Sequence, residues 1–366
     1  MKKFTHTKQP LSNSGRSIKP ISRSLRTALI VLALFIESTH GRAQIPQGVF
    51  SIANLGLPPQ DEVLDDPNVD GVTVRLNWSD LEPTEGQYDF SYLDTTLASV
   101  NAAGKKALLR IMTQGAKPAW VTTAVKNAGG LFFSFTSKGK ATSIPVFWDP
   151  TFLAKKTAMI QALGAHLTNT PGLAIVVASF ANATSEDWNV PHTSTDITQW
   201  QSLGYTSDKL VGAGHTIIDA TMAAFPNQFV TLAVAGNGPK LDKPNPDPTY
   251  YVANTVIADE RALWPGRLIV QKNDLSTFIP EYPGTGTIYD IMTDSAPDIA
   301  GQMLFQCFGD PTYKVNKGVP IDPGLALTLS INNGVAYGEK YIEVYQVDVV
   351  NLPDVIAYAH DALTAP

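Results

Sequence analysis

The chain has 366 residues and 44% hydrophobic content, which is enough for two average domains or for one large α/β barrel. Its formal net charge is −6, and an acidic surface repels polyphosphate, so nucleic acid is not an expected partner. Cys307 is the only cysteine, so no disulfide can form within the chain. The sequence contains no CxxC, HExxH or Asp-rich calcium loop, and we therefore expect no metal and no cofactor.

Residues 1–43 have the pattern of a secretory signal peptide. The first 26 residues contain seven Lys and Arg and no acid, and the wholly apolar run 28–36 follows them. This run is too short to span a bilayer as a helix. Small residues in Gly41-Arg42-Ala43 predict cleavage after Ala43. The alternatives are a membrane anchor or a disordered tail.

Cleavage at this point would leave residues 44–366 as one secreted or periplasmic domain without membrane contact. Eight Lys and Arg and one acid would be removed, so the net charge of this domain would be near −13. A neutral substrate is easier for such a surface to accept than an anionic one. The sequence does not indicate an oligomeric state.

Short apolar runs alternate with longer segments of helical periodicity in this domain, which is the pattern of parallel strands joined by helices. Helices are predicted at residues 92–103, 152–168, 209–224, 252–263 and 352–363. Strands are predicted at residues 49–54, 71–77, 107–113, 174–180, 230–235, 268–272, 302–307 and 341–347.

Eight such units in about 320 residues predict a single (β/α)8 TIM barrel in the α/β class. An open doubly wound sheet is the alternative, but the loop after the first strand, Leu55-Gly-Leu-Pro-Pro, has no GxGxxG. Residues 131–148 are predicted to form an inserted β-hairpin after strand three, over the barrel mouth. In such barrels functional residues gather where the strands end, and the polar stretch 181–193 follows strand four.

The segment from Arg75 to Asp94 strongly resembles clan A glycoside hydrolases, notably the family 42 β-galactosidases and their relatives. It carries an Arg-x-x-Trp-x-x-Leu-Glu-Pro-x-x-Gly-x-Tyr-x-Phe-x-x-Leu-Asp pattern that follows strand two in those proteins. The resemblance implies a (β/α)8 fold and glycosidase activity. Glu82 and Glu85 within the pattern are interpreted as structural, because a Glu-Pro turn fixes the chain between strand and helix.

The resemblance also implies a general acid/base glutamate after strand four, usually in an Asn-Glu pair. Glu186 lies in that region, but Ser185 precedes it and Asn182 lies four residues upstream. We predict Glu186 as the proton donor from its position. Asp187 is expected to point away from the site if Glu186 points in.

A glycosidase needs a second carboxylate, and the resemblance implies one at the end of strand seven. The sequence offers Gln306 there, which is the main departure from the family. Glu343 on strand eight is predicted as nucleophile or base, with Asp310 as the alternative. A buried carboxylate needs a partner, so a structural ion pair between Glu343 and Arg75 across the lumen is the competing interpretation.

Polar and aromatic residues near the strand ends predict a site for a hydroxyl-rich ligand, because amides and indoles match the hydroxyls and the apolar faces of sugars. Trp188, Asn189 and His192 could together form a sugar-binding wall. The predicted substrate-binding residues are Arg75, Asn77, Trp78, Gln114, Trp120, Asn182, Trp188, His192, Asn237, Asn273, Gln306 and Tyr345.

Two functions follow from the sequence. The first is a secreted glycoside hydrolase that cleaves O-glycosidic bonds of an oligo- or polysaccharide with Glu186 and Glu343. The second is a non-catalytic carbohydrate-binding barrel that has lost the strand-seven nucleophile. A lyase acting on acidic polysaccharide is disfavoured by the net charge.

Overall fold

The computed structural model describes residues 44–137, 139–183, 187–234, 251–279, 282, 289–309 and 312–365. Residues 45–366 form one compact unit, and its eight-stranded sheet closes into a barrel. The predicted signal peptide, residues 1–43, lies outside the described residues and stays a prediction. The strands are β1 (Gly48–Ile52), β2 (Gly71–Asn77), β3 (Lys106–Met112), β4 (Phe132–Ser137), β5 (Lys140–Pro145), β6 (Leu173–Val177), β7 (Phe229–Val234), β8 (Leu268–Leu275), β9 (Ile299–Met303) and β10 (Tyr341–Tyr345).

All barrel strands are parallel to their neighbours, in the order β1-β10-β9-β8-β7-β6-β3-β2 with β1 and β2 closing the ring. The predicted (β/α)8 TIM barrel is therefore confirmed. Helices follow the strands and cover the outside of the barrel, as parallel sheets require. None of the described helices is long and apolar enough to cross a membrane.

The helices that the structure describes include the five that were predicted. Some were not predicted, among them Pro323–Tyr337, although Asp322 caps its start, Pro323 occupies its first turn and Gly338 ends it in the left-handed conformation. The helices are α1 (Asp61–Asp65), α2 (Trp78–Leu81), α3 (Ser91–Ala102), α4 (Ala119–Asn127), α5 (Pro150–Leu167), α6 (Ser194–Ser202), α7 (Ser207–Ala224), α8 (Tyr251–Leu263), α9 (Tyr289–Ser295), α10 (Thr312–Val315), α11 (Pro323–Tyr337), α12 (Gln346–Asn351) and α13 (Pro353–Thr364).

The inserted hairpin after the third barrel strand is confirmed as the antiparallel pair β4–β5. It packs on α6, where the rings of Phe133 and Trp200 stack with centroids 3.7 Å apart. The backbone N–H of Ser134 also donates to the Gln199 side chain. These contacts hold the hairpin against the segment that follows the fourth barrel strand, β6.

Strand seven was predicted three residues too late. The observed strand, β9, ends at Met303, and its partners in β10 are Ile342 for Gly301 and Glu343 for Gln302. Gln306 therefore lies in the loop beyond the strand. The apolar run that misled the prediction continues past the strand end, because Leu304 and Phe305 pack against the core from the loop.

The floor of the barrel lumen is apolar. The side chains of Phe50, Leu108, Ile175, Ile269 and Tyr341 form a buried cluster there, one from each of five strands. Residues two positions further along these strands face the same side, because side chains alternate along a strand. In β3, β8 and β10 these next residues are polar, so the lumen changes from apolar to polar toward the carboxyl ends of the strands.

Gly164 marks a close approach of α5 to the end of α7. A β-carbon at this position would overlap the backbone carbonyl of Ala224. Gly212 lies on the exposed side of α7, and a β-carbon built there would contact no other atom. Packing therefore requires a glycine at position 164 but not at position 212.

We predict that Gly164→Ala lowers the free energy of unfolding by about 1 to 3 kcal/mol, because the added methyl group forces the two helices apart. Gly212→Ala is the matched control and should raise it by up to about 1 kcal/mol through helix propensity. Urea unfolding of both variants measures this, and equal effects of the same sign would contradict the packing account.

A second buried group of charges lies between the barrel and α11. Burial, and then the nearby Asp274 carboxylate, raise the pKa of Glu339 to about 8, while the Lys272 ammonium acts in the opposite direction. Lys272 contacts Asp274 at 2.5 Å, and burial lowers the pKa of its ammonium. Glu339 fits here because Gly301 and Gly334 leave room for its carboxyl group.

This shift predicts a loss of stability with rising pH. An unfolded Glu titrates near 4.5, so between about pH 4.5 and 8 the folded chain keeps a proton that the unfolded chain has released. Stability should fall through this window and level off above it. Glu339→Gln removes the titration, so it should match the wild type at pH 5 and exceed it by up to about 3 kcal/mol at pH 8. Denaturant unfolding across this pH range would contradict the account if the two proteins kept a constant difference.

Candidate active site

Glu343 lies in β10 and has no exposed surface. Its carboxylate accepts hydrogen bonds from the hydroxyl of Thr73, from the side-chain amide of Gln271 and from the guanidinium of Arg110 at 2.5 Å. The sequence also allowed a structural ion pair between Glu343 and Arg75. Glu343 does form a buried ion pair, but its partner is Arg110 and not Arg75. Three strands thus converge on one buried carboxylate.

Arg110 also contacts a second carboxylate. Its other terminal nitrogen donates to Asp187 Oδ1 at 2.9 Å, and the Asn273 amide donates to the same oxygen. Gln271 donates to Asn273 Oδ1 at 2.8 Å as well as to Glu343. These five side chains form a closed hydrogen-bonded circuit, which we call the lumen ring.

The lumen ring faces the carboxyl ends of the strands through Asp187. Its side chain is 15% exposed, whereas those of Arg110 and Glu343 are 1% and 0% exposed. Asp187 is therefore the member of the ring that a ligand at the barrel mouth can reach. A buried cation held between two carboxylates is also consistent with the high cost of unpaired buried charge.

Asp187 was expected to point away from the site if Glu186 points in. Glu186 lies outside the described residues, and Asp187 itself faces the lumen. Its neighbour Trp188 explains this orientation. The backbone N–H of Trp188 donates to Ala233 in β7, and its indole is fully buried with its ring 4.7 Å from that of Phe180. Successive side chains of an extended segment face opposite ways. Because the indole enters the outer core, Asp187 faces the lumen.

Tyr341 supports the ring from below. Its hydroxyl donates to Gln271 Oε1 at 2.8 Å. Burial, and then the nearby Glu343 carboxylate, raise the pKa of Tyr341 above its usual value, so the hydroxyl remains a proton donor. This bond leaves the Gln271 amide nitrogen directed to Glu343 and Asn273, which fixes the orientation of that amide.

Other predicted residues surround the mouth. Arg75 and Tyr345 are partly exposed at the ends of β2 and β10, and Arg75 is the register partner of Arg110. Asn273 belongs to the lumen ring. Arg75, Asn273 and Tyr345 are thus the predicted binding residues that the structure brings to the carboxyl side of the lumen.

Four predicted binding residues are buried in the fold. Trp78 donates to Glu82 at 2.8 Å, and Gln114 donates to the carbonyl of Pro145 in the hairpin. Asn182 accepts from Thr113 at 3.0 Å. Their side chains, and that of Trp188, present no surface to a ligand in this structure, so the structure gives them packing roles.

The remaining described predictions are held by hydrogen bonds within the chain. Asn77 bonds to Asp80, Trp120 bonds to the carbonyl of Glu82, and Gln306 bonds to the carbonyl of Phe308. His192 lies beside the hairpin and bonds to the carbonyl of Val190. Glu186, Asn237 and Asp310 lie outside the described residues, so their roles stay predictions.

The loop after β9 is held by a buried carboxylate. Asp348, at the start of α12, accepts the backbone N–H groups of Cys307 at 2.8 Å and Phe308 at 2.6 Å. Burial raises the pKa of Asp348 to about 6, and the two N–H donors oppose this rise. Asp348 is therefore committed to this loop. Residues 301–305, where β9 ends, contain no carboxylate.

Sequence reasoning missed Arg110 and Gln271, which between them take part in four of the five contacts of the lumen ring. The signal was present, because Arg110 is a charged residue in the mostly apolar strand β3 and Gln271 directly follows the apolar run 268–270 of β8. Both share the side of Leu108 and Ile269. Among the described residues, no group of three or more His, Cys, Asp and Glu is arranged to hold a metal ion.

Comparison with known proteins agrees with this architecture. Residues 62–179 match the family model described as β-galactosidase of glycoside hydrolase family 42. No curated protein matches the sequence. Among solved structures, the catalytic domain of β-amylase from Paenibacillus polymyxa is similar with a TM-score of 0.57 at 9% identity, covering 88% of this chain and 100% of that one.

Two further structures have the same fold. The β-galactosidase from Rahnella sp. R3 has a TM-score of 0.53 at 13% identity over 88% of this chain and 57% of its own. Xylanase 10C from Cellvibrio japonicus has a TM-score of 0.51 at 14% identity over 88% and 71%. This chain thus spans little more than half of that β-galactosidase. The resemblance to clan A glycoside hydrolases is confirmed by the family match over residues 62–179, and the solved structures have the same fold.

We predict that Glu343→Gln lowers the free energy of unfolding by about 3 kcal/mol, because Arg110 would lose one of its two anionic partners inside the barrel. Glu82→Gln is the matched control, since Glu82 is equally buried but is bound by the neutral donors Trp78 and Gly86. It should cost about 1 kcal/mol. Thermal unfolding measures both, and equal losses would show that the Arg110 pairing adds nothing.

Proposed function

We propose that this protein hydrolyses O-glycosidic bonds of a neutral oligo- or polysaccharide at the mouth of the barrel. The observation that carries the proposal is the position of Asp187, a partly exposed carboxylate fixed by Arg110 and Asn273. The family match and the barrel fold support glycosidic bond cleavage in general. The net negative charge of the chain favours an uncharged sugar over an anionic one.

Asp187 is suited to the part of the ionised carboxylate. In a two-carboxylate mechanism one group stays charged and stabilises or attacks the oxocarbenium-like centre, while the other donates a proton to the leaving oxygen. Pairing with a guanidinium favours the charged form of a carboxylate. Glu186 was predicted from the sequence as the proton donor; it lies outside the described residues, and this part of the mechanism stays a prediction.

In this proposal Glu343 positions the Arg110 guanidinium and does not contact the substrate. It has no exposed surface, and its contacts are internal, so a substrate would reach Asp187 first. By occupying one side of the Arg110 guanidinium, Glu343 directs the other side to Asp187. This assignment replaces the direct nucleophilic role that the sequence suggested.

Export completes the proposal. The basic and apolar pattern of residues 1–43 is typical of a secretory signal, so we propose action in the periplasm or outside the cell. Polysaccharides are available there as substrates.

Asp187→Asn tests the proposal. The amide keeps the size of the side chain but removes its charge, so kcat on a cleavable glycoside should fall by about 10²- to 10⁴-fold. Suitable substrates are aryl β-galactosides, xylan, mannan and starch, with released reducing sugar as the readout. Asp361→Asn, on the exposed surface of α13, is the control and should leave turnover unchanged. Turnover by Asp187→Asn at the wild-type rate would refute the proposal.

The second candidate is a carbohydrate-binding barrel without catalysis. It is favoured by the end of β9, where Gln302 stands and no carboxylate follows through residue 305. Calorimetric binding of an oligosaccharide together with no released sugar, after long incubation of the wild type, would select this candidate.

A further inference from the structure

A cleft lies between the hairpin β4–β5 and the segment before and at the start of α6. Its volume is about 430 Å³, within the range of roughly 300 to 1,000 Å³ that small-molecule sites occupy. We call it the hairpin cleft, and its lining includes Phe135, Asn189, His192, Thr193 and Asp196.

We propose that the hairpin cleft binds a further sugar unit of the same neutral oligosaccharide whose bond is cleaved at the barrel mouth, so that the protein selects chains longer than a disaccharide. This inference rests on the proposed function, which it extends from the cleaved bond to the length of the substrate. The composition of the walls, their rigidity and their closeness in the chain to Asp187 support it.

The walls of the cleft combine the groups that sugars bind. Phe135 offers an aromatic surface from the hairpin, while Asn189 and His192 offer an amide and an imidazole from the opposite wall. His192 Nδ1 lies 2.6 Å from the carbonyl of Val190, so it carries the proton and, in the neutral ring, leaves Nε2 as an acceptor. No Lys or Arg is among the described lining residues, which disfavours an anionic ligand.

Both walls are held in place by the fold. The Phe133 ring stacks on Trp200, and the Trp200 indole donates to the carbonyl of Pro191 at 2.9 Å. Asp196 accepts from the backbone N–H and the hydroxyl of Thr193, which caps α6 and fixes the far end of the segment. The cleft is thus preformed, and a ligand pays little ordering entropy there.

One short segment of chain joins Asp187 at the barrel mouth to the lining of the hairpin cleft. Asn189 follows Asp187 by two residues, and alternation places both on the same side, with the buried Trp188 on the other. Two residues of extended chain span about 7 Å. A ligand at Asp187 and a ligand at Asn189 are therefore close enough to be units of one oligosaccharide.

The test compares short and long probes on the full chain carrying Asp187→Asn. Calorimetry measures the Kd values of the disaccharides and hexasaccharides of β-1,4-linked galactose, xylose and mannose. At least one hexasaccharide should bind 10-fold or more tightly than its disaccharide. Phe135→Ala and His192→Ala should each remove most of that difference and leave disaccharide binding unchanged. Ser143→Ala, on the exposed face of the same hairpin, is the control and should keep the difference.

The inference is overturned if hexasaccharide and disaccharide bind equally, if no probe binds, or if both cleft variants keep the length preference. Failure of the proposed function has a different signature. In that case the Asp187→Asn variant still turns over glycosides, whatever the cleft variants do to binding.

Discussion

One guanidinium group organises the interior of this barrel. Arg110, in β3, pairs with the fully buried Glu343 of β10 and with Asp187 at the barrel mouth, in the segment after β6. It therefore joins three separate parts of the barrel. A buried cation must have anionic partners, and each partner is further fixed by an amide from β8. The only member of this circuit with appreciable exposure is Asp187. The same interaction that satisfies the buried charge therefore fixes the carboxylate that we propose as reactive.

The outer core sets the geometry of that position. Trp188 enters the packing between β6 and β7, and its burial turns the adjacent carboxylate into the lumen. The hairpin β4–β5 is stacked on α6 through Phe133 and Trp200, which brings a second wall beside the segment that carries Asp187. Hydrophobic packing outside the barrel and ion pairing inside it thus act on one short stretch of chain, and together they connect the fold to the proposed recognition of an oligosaccharide.

Much of the fold could be predicted from the sequence, because apolar runs and helical periodicity report burial directly. Seven strands were predicted within a few residues, but β9 was displaced because the loop residues Leu304 and Phe305 are also buried. The site was harder to predict. The polar nature of Glu343 and its need for a partner were evident, whereas the choice of Arg110 over Arg75, its register partner in β2, does not follow from the strand pattern. The direction of Asp187 depends on which neighbour fills the core, which local sequence does not determine.

The most direct measurement is a crystal structure of the Asp187→Asn variant soaked with an oligosaccharide that the wild type cleaves. We expect a sugar ring at the barrel mouth, with its anomeric carbon within about 3.5 Å of the residue 187 side chain, the distance of a near-attack geometry. The Arg110 guanidinium should still contact Glu343 beneath it. A sugar bound elsewhere, with the side chain of residue 187 remote from any glycosidic bond, would contradict the account.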